Sequence, residues 1–105
     1  MKSEKRCTLD KFKNLISTNR VVLFLKGKVS FPMCGLSGNV CSMLRKNGVD
    51  FIEINILEDP ELYLLLKEEC VSATAPYLFV EGKFIGGYDE IKLLFETEKL
   101  VGAVR

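Results

Sequence analysis

Cys34 stands in the run Phe31-Pro32-Met33-Cys34-Gly35-Leu36-Ser37-Gly38, after a predicted strand and loop and directly before a predicted helix. A thiolate at a helix N-terminus faces unpaired backbone N–H groups and the positive end of the macrodipole, an effect of about 0.3–1 kcal/mol, and up to ~2 when partly buried. Such a thiol ionises near neutral pH and becomes a nucleophile or a metal ligand. Lys26, at the end of the preceding strand, adds a cation nearby. Three residues beyond Cys34, Ser37 occupies the place where a dithiol enzyme carries its second cysteine. Cys34 therefore acts alone or with a thiol supplied by another molecule. The competing assignment is a small apolar loop residue; Pro32 before Cys34 and the helix start after it favour chemistry.

Four cysteines, at positions 7, 34, 41 and 70, and no histidine narrow that chemistry. No Cys-x-x-Cys pair or Cys/His cluster is present, which argues against a structural zinc site. Scattered cysteines in an apolar chain do not form a secreted disulfide framework, so reduced thiols in an intracellular protein are expected, with mitochondrion and cytoplasm both open. Without histidine there is no Cys–His nucleophilic pair. Cys41 lies seven residues along the same predicted helix as Cys34, a rise of roughly 10 Å. That is beyond reach for a shared iron or an internal disulfide. Cys7 and Cys70 fall outside every motif.

Two further elements carry binding potential. In Thr74-Ala75-Pro76 the proline cannot donate a ladder hydrogen bond and belongs at a strand start or edge. With a cis bond, the Ala75 peptide turns outward and can pair with an extended peptide ligand; with a trans bond the segment is an ordinary turn. In Gly86-Gly87-Tyr88-Asp89 the glycines leave room for a ligand to approach the backbone, and the helix start beyond offers N–H groups to a carboxylate. Asp89 either pairs with an ammonium or serves as an N-cap.

The elements that must position these residues follow from pattern. Thr8 and Asp10 are the candidate N-caps of a first helix running to about residue 17, with Leu9, Phe12, Leu15 and Ile16 on one face. Val21-Val22-Leu23-Phe24-Leu25 is a strand buried on both sides. Leu36, Val40, Met43 and Leu44 repeat at helical spacing, and Asn47-Gly48 closes that helix. Residues 51–56 alternate as a half-buried strand. Asp59 caps a third helix that has Pro60 in its first turn and runs to about residue 70. Residues 77–80 and 83–85 form a hairpin across Glu81-Gly82, and a last helix buries Ile91, Leu94 and Phe95. The order α-β-α-β-α-β-β-α predicts a single α/β domain, its mixed sheet covered by helices on both faces.

A length of 105 residues with 48% hydrophobic content suffices for one core. Fifteen basic against fourteen acidic residues give a net charge of +1, without the basic excess of a nucleic-acid surface. Apolar runs of four to eight residues are too short to span a bilayer. Residues 1–6 carry three basic side chains, yet residues 9–20 read as an ordinary polar-faced helix and not a signal sequence. No nucleic-acid or membrane partner is expected.

Taken together, Lys26-Gly27, the five-residue loop before Pro32-Met33-Cys34-Gly35-Leu36-Ser37, Thr74-Ala75-Pro76 and Gly86-Gly87-Tyr88-Asp89 resemble a monothiol glutaredoxin. The likeness runs in order from about residue 21 to residue 94. It implies a thioredoxin-like (glutaredoxin) fold with a four-stranded mixed sheet, one glutaredoxin domain over residues 1–105, and bound glutathione. By matching position, Lys26 would hold the glycyl carboxylate. The backbone of Ala75, between Thr74 and a cis Pro76, would pair with the cysteinyl unit. Gly87, Tyr88 and Asp89 would receive the γ-glutamyl end. The chain departs from the family pattern in three places: Leu36 stands where Phe is usual, Ser72-Ala73 where Trp-Pro is usual, and Tyr63 where Arg is frequent. The last change removes a carboxylate clamp and leaves Lys67, one turn on, as the cation able to compensate.

Monothiol glutaredoxins resemble iron–sulfur carriers more than reductases. A [2Fe–2S] cluster takes four ligands, commonly thiolates. With Cys34 as the one cluster-competent cysteine per chain, two chains and two glutathione thiols complete the set. The expected function is a glutathione-dependent carrier whose cluster bridges a homodimer and passes to apo iron–sulfur recipient proteins. Two alternatives accompany it. One is a monothiol oxidoreductase in which Cys34 attacks a protein–glutathione mixed disulfide and a second glutathione releases it. The other is a thioredoxin-fold interaction module with an inert Cys34.

Overall fold

The computed structural model describes residues 2–27, 35–71 and 73–104, with side chains from residue 7 onward. Among the described residues, five helices and four strands follow one another as α1 (Lys2–Thr18), β1 (Val21–Leu25), α2 (Gly35–Lys46), β2 (Ile52–Asn55), α3 (Pro60–Glu69), β3 (Tyr77–Val80), β4 (Lys83–Gly86), α4 (Tyr88–Glu96) and α5 (Leu100–Val104). A 3-10 turn, Ile56–Glu58, joins β2 to α3.

The sheet order is β2-β1-β3-β4. β1 runs parallel to β2, pairing Val22 with Ile52 and Leu25 with Asn55. It runs antiparallel to β3, pairing Val21 with Val80 and Phe24 with Tyr77. β3 and β4 form the antiparallel hairpin, irregular in register at Leu78/Phe79. This is the four-stranded mixed sheet of the thioredoxin-like fold.

All five β1 residues are buried, because side chains alternate across a sheet that is covered on both sides. Val22 and Phe24 join Tyr77 and Phe79 of β3 in a core with Phe12 of α1 and Leu62, Leu65 and Leu66 of α3. Within it, Phe12, Phe24 and Phe79 stand 5.3–5.8 Å apart between ring centroids, two of the three pairs edge-on. Such geometry brings positive ring edges to negative faces. Val21, Leu23 and Leu25 face the opposite way, against Val40, Cys41 and Leu44 of α2, Ile91 of α4, and Leu100 and Val104 of α5. Among the described helices, none is long and apolar enough to cross a membrane.

Several expectations need correction. α1 begins at Lys2, so Thr8 and Asp10 lie inside it and cap nothing. The upstream lysines, glutamate and arginine are good helix formers and carry the helix past the apolar stripe. The Thr8 hydroxyl instead donates to Glu61 Oε2 at 3.0 Å, tying α1 to α3. β2 is shorter than residues 51–56, because Ile56 leaves the sheet to open the 3-10 turn. α5 has no counterpart in the expected order; its Leu100 and Val104, one turn apart, both enter the second core. The helix stop at Asn47-Gly48 is borne out: Gly48 takes φ +66°, and Val49 N–H reaches back to Leu44 O at 3.0 Å.

Asp59 caps α3 as expected, accepting from Leu62 N–H at 3.2 Å through Oδ1 and from Lys11 Nζ at 2.8 Å through Oδ2. The Lys11 hydrogen bond, helped by Leu62 N–H and opposed by partial burial, holds the Asp59 carboxyl below its ordinary value. A group whose folded pKa is depressed contributes stability above its unfolded pKa and loses it as pH falls through the folded value. Asp59→Ala is therefore expected to cost about 1 kcal/mol at pH 7. That cost should shrink once the wild-type carboxyl is itself protonated, below its lowered folded pKa; urea unfolding of both proteins across an acid series checks it.

Candidate functional site

The C-terminal end of β1, the N-terminal end of β3 and the C-terminal end of β4 meet at one end of the sheet, as the pairings Phe24–Tyr77 and Leu78–Gly86 require. Lys26 follows β1, residues 74–76 precede β3, and residues 87–89 follow β4. The structure thus brings Lys26, Thr74, Ala75, Pro76, Gly87, Tyr88 and Asp89 to the same end. Cys34, with Lys28, Pro32 and Met33 around it and Ser72 before the second element, lies outside the described residues. α2, which follows Cys34 in the chain, starts at Gly35.

Beyond the sheet ladder the end of β1 must find new hydrogen-bond partners. Lys26 N–H donates to Ser37 Oγ at 3.1 Å, and Gly27 N–H donates to Asn55 Oδ1 at 2.9 Å. Ser37 is completely buried in the first turn of α2. Its hydroxyl is thus engaged in joining α2 to β1. Asn55 Oδ1 accepts a second bond, from Leu57 N–H at 3.0 Å, and so joins the start of the 3-10 turn to the end of β1. Neither tie was read from the sequence. An Asn at the end of a strand, two residues before a turn N–H, is the signal that marks such a side-chain acceptor.

The second and third elements hold each other. The Ala75–Pro76 bond is cis, as the family resemblance implies. Ala75 and Pro76 are buried and Thr74 is exposed. Tyr88 N–H donates to Thr74 O at 2.9 Å. A Cβ placed on Gly87 would come 2.5 Å from Thr74 O and 2.9 Å from Thr74 N. Gly87 is therefore glycine because the chain's own Thr74 backbone presses on it, and not because a ligand needs the space. A Cβ on Gly86 would likewise come 2.4 Å from Glu90 Cβ. Asp89 is not the N-cap of α4: Gly87 is, with no side-chain cap bond, and Asp89 stands exposed in the first turn. An exposed carboxylate there sits at the positive end of the helix. Tyr88 OH lies 3.5 Å from Asn39 Nδ2 of α2, a long contact across the same end.

On the α3 side, the Nζ atoms of Lys26 and Lys67 lie 5.5 and 4.2 Å from the centroid of the Tyr63 ring. Tyr77 is buried behind them. Burial, aided by Tyr63 and Cys70 and opposed by Lys26, pushes its phenol up.

The remaining cysteines divide by environment. Cys70 caps the end of α3 in the core at 3% exposure, and burial followed by Glu69 pushes its thiol up to about 11. Burial also raises Cys41, Arg45 pulling the other way and Glu53 adding to the rise. Cys7 is exposed on α1, which packs on the opposite face of the sheet from α2. Among the described residues, no three His, Cys, Asp or Glu side chains gather as a metal site.

Comparison with known proteins agrees with this architecture. The family model described as Glutaredoxin matches residues 21–85. The chain is 42% identical over 87 residues to probable monothiol glutaredoxin 2 of Rickettsia typhi, a match spanning 83% of this chain and 78% of that protein. The solution structure of reduced poplar apo GrxS14 superposes with a TM-score of 0.75 at 36% identity, covering 94% of this chain and 88% of that one. A buckwheat glutaredoxin–glutathione complex superposes with a TM-score of 0.84 over 99% of this chain and 93% of that one, and its 23% identity speaks for the fold alone. The fold defines a thioredoxin-like protein with a Thr-Ala-cis-Pro segment beside the end of its central strand. The chain belongs to the glutaredoxin family, among its monothiol members.

Gly87→Ala is expected to push the Thr74 backbone away from α4 at a cost of about 1–3 kcal/mol. Denaturant unfolding reads the cost, and displaced backbone amide resonances of Thr74 and Tyr88 in two-dimensional NMR locate it.

Proposed function

We propose that the chain acts as one glutaredoxin domain over residues 1–105 that binds a [2Fe–2S] cluster between two copies, with glutathione, and delivers it to apo iron–sulfur proteins. Cys34 is the protein ligand in this reading. The observation that carries it is the state of the position three residues on. Ser37 is fully buried and its oxygen accepts from Lys26 N–H, so a second thiol beside Cys34 is replaced by a structural hydroxyl. Cys41 and Cys70 are buried with their thiols pushed up, which makes them poor ligands at neutral pH. Cys7 lies on α1, across the sheet from α2, so this reading takes Cys34 as the one ligand per chain and completes a four-ligand cluster with a second chain and two small-molecule thiols.

The residues gathered at the end of the sheet fit a peptide thiol. Lys26 supplies a cation for the glycyl carboxylate, and the backbone around Ala75, between Thr74 and Pro76, lies alongside the cysteinyl unit. Gly87, Tyr88 and Asp89 face the γ-glutamyl end in this reading, with the exposed Asp89 offering its carboxylate and its backbone N–H in the first turn of α4. Bound glutathione supplies the exchangeable thiolate, and exchangeability suits a carrier. The glutathione seen with the buckwheat glutaredoxin, on the same fold, supports this choice of ligand.

Reconstitution with iron, sulfide and glutathione tests the proposal. The loaded protein should show visible charge-transfer absorption and elute as two chains. Cys34→Ser or omission of glutathione should abolish both, whereas Cys41→Ala and Cys70→Ala should keep them. A protein that stays colourless while reducing a protein–glutathione mixed disulfide would instead be a monothiol oxidoreductase.

A further inference from the structure

The parallel strands of the sheet part at a single residue pair. β1 and β2 are last matched at Leu25 and Asn55. Beyond that pair one chain turns into Lys26-Gly27, at the end of the sheet where residues 74–76 and 87–89 gather. The other enters the 3-10 turn that leads to α3. Gly27 is buried and turns at φ +95°, a left-handed conformation open to glycine. A buried backbone N–H needs an acceptor, and that of Gly27 meets Asn55 Oδ1 at 2.9 Å. The same oxygen takes Leu57 N–H from the other chain at 3.0 Å. A carbonyl oxygen has two lone pairs, and here each departing chain takes one. Asn55 Oδ1 is therefore a clasp across the fork, with no lone pair left for a ligand. Asn55 falls in none of the motifs that carry the family likeness.

We infer that Asn55 is a positioning residue for the peptide thiol, fixing the Lys26-Gly27 backbone against the start of the 3-10 turn before any ligand arrives. A segment that must be ordered on binding lowers affinity, whereas one already held contributes its contacts without that cost. With Oδ1 removed, Gly27 N–H turns to water and the segment has to be fixed anew each time the ligand binds. This rests on the glutathione reading above and adds to it a residue that sets affinity through the backbone.

Calorimetric titration of the cluster-free chain with glutathione, beside urea unfolding and hydrogen exchange at the Gly27 amide, tests the inference. Asn55→Ala should weaken binding about three- to tenfold and speed Gly27 exchange, with the circular dichroism spectrum unchanged. Asn55→Ser keeps a hydroxyl for Leu57 N–H two residues on, but its shorter side chain falls short of Gly27. It should weaken binding by a similar factor, and it replaces Asn55→Ala if that variant does not fold. Arg20→Ala controls for stability alone, since the Arg20 guanidinium donates to Val104 O at the opposite end of β1. It should lower the urea midpoint and leave the affinity for glutathione unchanged. A folded Asn55 variant with fast Gly27 exchange and full affinity overturns the positioning role. Unchanged Gly27 exchange in Asn55→Ala overturns the clasp itself. An equal loss of affinity in Arg20→Ala also sinks the inference, because lost stability then accounts for it. In these three cases glutathione binding by the unmodified chain still stands. No binding by the unmodified chain overturns the glutathione reading and this inference with it.

Discussion

The central strand β1 has no solvent face, and the rest of the architecture answers to that. A strand buried on both sides must hand its side chains alternately to two cores. Val22 and Phe24 therefore belong with α1 and α3, while Val21, Leu23 and Leu25 belong with α2, α4 and α5. Its backbone is satisfied by β2 on one edge and β3 on the other. Where the ladder stops, the next two N–H groups still need acceptors, and they find Ser37 Oγ and Asn55 Oδ1. The residue that opens the candidate site is thus fixed by α2 and by the β2–α3 connection at once. Placement of Lys26 is a by-product of closing the hydrogen bonds of the core strand.

That constraint changes what Ser37 means. As a sequence symbol it is the missing second thiol of a dithiol motif. In the fold it is a buried acceptor, and a hydroxyl oxygen accepts a backbone N–H far better than a thiol does. Single-thiol chemistry and the anchoring of β1 to α2 are then served by the same atom. Gly87 follows the same logic. Its missing side chain suggests space for a ligand, yet the Thr74 backbone fills that space, and the glycine lets residues 74–76 and 87–89 lie against each other.

How much of this was legible in the sequence depends on whether the cause was local. The unbroken apolar run of β1, the Asp59-Pro60 helix start and the Asn47-Gly48 stop were all readable, because each is set by residues within one turn of one another. The motif order gave the family, and with it the cis bond before Pro76. The true start of α1 was not readable from periodicity, because its first turns precede the first apolar residue of the stripe at Leu9 and rest on helix propensity. α5 was missed because five residues with two buried positions make too short a pattern. The ties made by Ser37 and Asn55 join residues 11 and 28 positions apart, and the approach of Lys26 to Tyr63 is longer still. No local rule contains those contacts. They exist because three strand ends and a helix start are brought together by the sheet order.

The same dependence on environment sets two of the four cysteines, Cys41 and Cys70, apart from the others. A thiol buried in apolar surroundings resists ionisation, because a thiolate there loses its hydration and gains little in return. With its thiol raised to about 11, Cys70 at pH 7 is ionised in only about one molecule in ten thousand. Cys41 has Arg45 in range, yet burial still outweighs that cation and the thiol stays above its ordinary value. Both are held inert by the packing that stabilises the two cores, so protecting them needs no additional device. The motif cysteine differs from both in its place in the sequence, one residue before the start of α2. Any change that loosened either core enough to hydrate Cys41 or Cys70 would end their inertness first, before the fold itself was lost.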